Sequence, residues 1–118
     1  MKRHEEYMKD KMKDQPSEII RQVDVLASLD TVKLQEAEQS YGDSWKQRGG
    51  VGAFMMLARK WDRLEKQANE FNYDVFLAAA EDPREEGVLD DIRDLRRYLF
   101  LVEAEVRMRQ NGKQSKAR

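Results

Sequence analysis

The chain has 118 residues, enough for one domain that buries roughly two-thirds of its unfolded surface. Charged residues make up 38% and hydrophobic ones 40%, the profile of a helical protein with strongly polar outer faces, and a net charge of −1 supplies no basic field to draw nucleic acid. There is no cysteine, which excludes disulfides, thiolate metal sites and cysteine nucleophiles.

No apolar run approaches the ~20 residues of a bilayer-crossing helix and no signal-peptide pattern opens the chain, so a cytoplasmic location is expected. Residues 1-16 form a charged arm with His4, the single histidine, and weakly periodic Tyr7, Met8 and Met12. A frayed helix and an arm packed on a neighbour both fit it. Pro16-Ser17-Glu18 reads as a break and a helix start capped by Ser17. Ile19, Ile20, Val23, Leu26 and Ala27 then make a buried face. The pattern loosens around Asp30, so one kinked helix and two separate ones stay open, and Gly42 supplies the left-handed stop after Tyr41.

Residues 40 to 52, SYGDSWKQRGGVG, form the one loop varied enough to hold a ligand. It carries Tyr41, Trp45, Lys46 and Arg48, with Gly49, Gly50 and Gly52 just ahead of a helix. Glycines at a helix start let backbone N–H groups approach a phosphate, although they serve a plain turn equally well. The next helix runs from about Val51 to Phe71, with Phe54, Leu57, Trp61, Leu64, Ala68 and Phe71 as its core face. A shorter apolar piece covers Tyr73 to Ala80. Asp82-Pro83-Arg84-Glu85 has the form of a capping box, with Pro83 at the first helical position of the last helix.

That last helix is expected to reach Gln110 and stop at Asn111-Gly112, leaving residues 111-118 as a disordered basic tail. Val88, Ile92, Leu95, Leu99, Val102 and Val106 recur at steps of four and three and lay one apolar stripe along it. Its centre, Tyr98 to Val102, is apolar on nearly every side and must be covered on more than one face, which predicts a homo-oligomer. No stretch alternates long enough to be a strand. The expected fold is all-α, a four-helix-bundle-like domain over residues 17-110.

Two acid pairs stand out. Asp62 and Glu65 lie one turn apart on the Val51–Phe71 helix, and Asp91 and Asp94 lie one turn apart on the last. Each pair borders an apolar stripe. If the two helices pack antiparallel, four hard oxygen ligands meet, a set suited to Mg²⁺ or Mn²⁺ rather than zinc. Solvated surface charge is the plain alternative, since 23 acids in 118 residues generate such pairs by chance.

These pairs, with 25 residues between them, resemble the E-x-x-E and E-x-x-D mark of the MazG-like all-α nucleoside triphosphate pyrophosphohydrolases. YGDSWKQRGGVGAFMMLARKWDRLE and the later DDIRDLRRYL further resemble a phage-borne, nucleotide-modification-associated branch. The likeness covers about Leu34 to Leu101. It departs from the family at Asp62 and Asp91, where glutamate is usual. The resemblance implies hydrolysis of an NTP or dNTP between the α- and β-phosphates, releasing NMP and pyrophosphate and shaping a phage or host nucleotide pool. It implies Glu65, Asp91 and Asp94 as metal ligands and Asp62 as a ligand or base, with Glu38 the alternative acid from the preceding helix. From residue type, Lys60 and Arg63 are candidates for phosphate contact, Lys46 for substrate binding, and Trp45 or Tyr98 for stacking on the base. The competing reading is a non-catalytic adaptor that docks a partner through its apolar last helix.

Overall fold

The computed structural model describes residues 15–116 except Glu86, with the side chains of residues 114–116 also outside the description. The N-terminal arm through residue 14, His4 included, lies outside it. Among the described residues the chain is all α-helical, with helices α1 (Glu18–Tyr41), α2 (Gly49–Asn69), α3 (Val75–Glu81) and α4 (Val88–Lys116), and a 3₁₀ turn at Ser44–Lys46. None of these helices is long and apolar enough to cross a membrane.

The chain divides into two units, Met1–Gly42 and Asp43–Arg118. In the first, α1 is a single unbroken helix of 24 residues, which resolves the open question at Asp30. Asp30 caps no second segment; it is buried within the helix. The face expected to be buried is largely exposed, because Ile19, Ile20, Val23 and Leu26 all stand out in solvent. Gly42 ends α1 as expected, with φ 60° and its N–H donating to the Glu38 carbonyl at 2.8 Å.

In the second unit α2 and α4 run antiparallel, since contacts that advance along one helix retreat along the other: Lys60 meets Asp94 and Arg63 meets Asp91, while Lys46, in the turn before α2, meets Glu105 farther along α4. Helix α2 ends at Asn69, and the turn that follows takes left-handed backbone angles at Asn72 and Tyr73. Asp74 then caps α3 by accepting from the N–H groups of Phe76 and Leu77, both at 3.1 Å. Among the described residues the buried apolar ones are few and small: Ala53, Ala68, Ala78 and Val88.

Three local expectations are corrected. Helix α4 begins at Val88, not after Asp82, because the Asp82 carboxylate is taken by the Arg84 side chain and by two backbone N–H groups, Arg84 and Val88. At its far end α4 continues through Asn111 and Gly112 to Lys116. A glycine inside a helix costs only about 1 kcal/mol, and it stops a helix only where a left-handed turn follows. On α2, Phe54 and Trp61 do not join the core; they are 65% and 53% exposed.

Candidate functional site

The side chains that α2 turns toward α4 include cations. Lys60 Nζ lies 3.1 Å from Asp94 Oδ2, and Arg63 Nε lies 3.2 Å from Asp91 Oδ1. Asp91 and Asp94 are one turn apart on α4, so both carboxylates emerge along the edge that faces α2. Asp91 is 1% exposed, whereas Asp94 is partly open to water.

A third cation reaches this edge from the segment between α3 and α4. The guanidinium of Arg84 forks onto Asp82, with Nη2 to Oδ2 at 2.7 Å and Nε to Oδ1 at 3.0 Å. The same Nη2 lies 3.5 Å from Asp91 Oδ2. That oxygen is buried and accepts no hydrogen bond, and the Arg84 charge stands beside it. The Arg84 side chain and backbone N–H hold the Asp82 carboxyl well below the usual carboxylate range. In return, Asp82 raises the affinity of Arg84 for its proton.

Local geometry locks this turn. A Cβ at Gly87 would lie 2.7 Å from Asp82 Oδ2 and 2.9 Å from its Cγ, so a side chain there would have to displace the carboxylate from the partners that hold it. Val88 N–H, the first of α4, donates to Asp82 Oδ2 at 2.8 Å. Asp82 therefore serves α4 as an N-terminal acceptor from six residues away, a role that local capping patterns do not contain.

The other acids named from sequence stand elsewhere. At 100° per residue, Asp62 and Glu65 lie about 160° and about 140° around α2 from Lys60, and both are exposed. Glu65 Oε2 accepts from the Trp61 indole N–H at 3.1 Å on that outer face. Glu38 belongs to the Met1–Gly42 unit and is exposed there. The described residues contain no group of three or more acids or histidines placed to hold a metal ion.

The loop residues are likewise committed to structure. Lys46 Nζ pairs with Glu105 Oε1 at 2.6 Å, and Arg109 reaches the other Glu105 oxygen at 2.7 Å. These two cations lower the Glu105 pKa. Trp45 and Tyr98 are half-buried, Trp45 in the turn and Tyr98 on α4. Gly49 and Gly50 open α2, Gly49 with φ 71°, and a Cβ at Gly52 would strike the Arg48 side chain at 2.7 Å. This run is the first turn of a helix, not an open glycine loop.

The site thus brings Lys60, Arg63, Asp91 and Asp94 together, and adds Asp82 and Arg84, which sequence reasoning assigned only to a helix start. The available signal was an Asp-Pro-Arg turn in which the arginine can fold back on the aspartate two residues earlier. No protein-family model matches the chain, and neither a curated protein nor a solved structure matches it.

Proposed function

We propose that the chain is a metal-dependent nucleoside triphosphate pyrophosphohydrolase whose working edge is Asp91 and Asp94 with Lys60 and Arg63. The observation that carries this reading is the buried Asp91, one of whose oxygens accepts no hydrogen bond, beside a second carboxylate and facing cations. A closed four-carboxylate cage does not fit the residues present, because Asp62 and Glu65 lie on the other side of α2. An open site does fit, since Mg²⁺ commonly takes one or two carboxylates and fills its remaining positions with water and phosphate oxygens. Asp91 and Asp94 are the residues that would hold the ion. When bound, it would lower the pKa of a coordinated water and neutralise phosphate charge.

The protein's own groups have separable tasks. Arg63 presents a planar fork suited to a phosphate, and Lys60 a compact charge. Arg84, anchored by Asp82, sets its guanidinium 3.5 Å from Asp91 Oδ2 and adds positive charge to the edge. Trp45 and Tyr98 are the candidates for stacking on the base, since every base offers a π face. The reading accords with the family resemblance over Leu34 to Leu101 in substrate class. It differs in giving Asp62, Glu65 and Glu38 no ligand role.

Thermal melting of the full chain with Mn²⁺ and a non-hydrolysable dNTP tests this, because a ligand that binds the native state must raise its Tm. A rise that is lost in Asp91→Asn and Asp94→Asn supports the reading. An unchanged Tm at millimolar ligand contradicts it and favours the alternative, a non-catalytic interaction protein. The pairing of each carboxylate with a cation of α2 is the observation on that side.

A further inference from the structure

Two kinds of cation face the carboxylates of the α2–α4 edge. Arg84 is anchored. Its guanidinium forks onto Asp82, which is 4% exposed and also accepts from the Val88 N–H. Lys60 and Arg63 reach across from α2 instead, Lys60 Nζ to Asp94 Oδ2 at 3.1 Å and Arg63 Nε to Asp91 Oδ1 at 3.2 Å. The Arg63 side chain is 49% exposed, so it can turn from its partner without leaving water. Lys60, Arg63 and Arg84 stand against Asp82, Asp91 and Asp94, and these pairs together carry no net charge.

That balance disfavours a bare divalent ion. To take Asp91 and Asp94 it must displace Lys60 and Arg63 and then stand beside them, with Arg84 still in place. At a separation of about 6 Å in water, repulsion between a divalent ion and one such cation weakens binding about ten-fold. An ion that arrives with a triphosphate brings anionic oxygens that receive the displaced side chains. We infer that Lys60 and Arg63 are exchange cations: they neutralise Asp94 and Asp91 in the free protein and pass to the phosphate oxygens of a nucleoside triphosphate as the two carboxylates take its metal ion. Resting on the pyrophosphohydrolase reading, this exchange adds to it that ion and triphosphate bind together and that neither carboxylate is open to the ion alone. Ion and nucleotide then strengthen each other's binding reciprocally.

Two binding measurements on the full chain test the exchange. The electron paramagnetic resonance signal of free Mn²⁺ reports binding of the bare ion. Equilibrium dialysis of a non-hydrolysable dNTP in excess Mn²⁺ reports the joint complex. Lys60→Gln and Arg63→Gln should each tighten bare Mn²⁺ at least about ten-fold, because a competitor and a repelling charge are both removed. Each should weaken the dNTP analogue at least about ten-fold, because a charge-assisted phosphate contact is lost. Asp94 is partly open to water, so Lys60→Gln leaves no buried charge behind and carries the test if Arg63→Gln fails to fold. Any pattern other than these opposite signs overturns the exchange. A side chain that only holds α2 on α4 would weaken both ligands, and a plain phosphate contact would leave bare Mn²⁺ unchanged. The pyrophosphohydrolase reading survives either result as long as the wild type binds the analogue with Mn²⁺. A wild type that binds neither the bare ion nor the analogue overturns both.

Discussion

Arg63 Nε approaches Asp91 Oδ1 to 3.2 Å, and through this pair an exposed arginine of α2 reaches a carboxylate that is almost wholly buried in the first turn of α4. The contact explains how α4 can carry an acid on its inner edge. Asp91 has Arg63 on one oxygen and Arg84 near the other, and it lies close to the positive end of its own helix. Removing the acid leaves two cations that can still turn to water, so the cost should be smaller than for a fully buried pair. Asp91→Asn should lower unfolding stability by about 1–2 kcal/mol, read by urea denaturation. An unchanged midpoint would mean that the pair contributes nothing to holding α2 on α4.

The Asp82 clasp makes a prediction about acid. Its carboxyl is held well below the usual range by Arg84. A group whose folded pKa is depressed contributes stability that is complete above the unfolded pKa and lost as pH falls further. Melting temperature should therefore drop more steeply below pH about 4 in the wild type than in Asp82→Asn, which starts lower but has less to lose. Glu105, depressed by Lys46 and Arg109, adds to the same slope. Parallel curves for the two proteins would contradict the role given to Asp82.

Gly87 should tolerate no side chain. With Asp82 Oδ2 2.7 Å from the added Cβ, Gly87→Ala must push the carboxylate off the Val88 N–H or shift the α4 start. A loss of about 1–3 kcal/mol is expected, in the range of overpacked sites. Gly50→Ala is the control, because nothing lies within 4 Å of a Cβ there.

Glu65 separates the two-carboxylate edge from the four-acid cluster that the sequence suggests. It lies on the outer face of α2, bonded to Trp61. Glu65→Gln should keep the Mn²⁺-dependent rise in Tm, while Asp94→Asn should lose it. The reverse pattern would restore the four-acid arrangement and reject the edge described above.

Helix number, the left-handed stop at Gly42 and the one-turn spacing of Asp91 and Asp94 on a helix were legible from residue order, because periodicity and glycine chemistry act locally. Which side of α2 faces α4 was not. Apolar patterning assigned Phe54 and Trp61 inward, but the contact edge contains Ala53, Lys60 and Arg63. A cation that satisfies a carboxylate across the helix pair leaves no hydropathy signal. Asp82 was misread for a related reason: its partners two and six residues ahead imitate a capping box that closes within three. The exposure of Leu99 and Phe100 on α4 follows from the all-round apolar run at Tyr98 to Val102, which one neighbouring helix cannot cover on every side.

The most direct measurement is pyrophosphate release from a panel of ribo- and deoxyribonucleoside triphosphates with Mg²⁺ or Mn²⁺, comparing the wild type with Asp94→Asn at equal concentration. The account predicts turnover of at least one nucleotide by the wild type, abolished by chelation and reduced at least about a hundred-fold by the substitution. A panel left intact by a folded, concentrated wild-type protein, or equal turnover by both proteins, would contradict it.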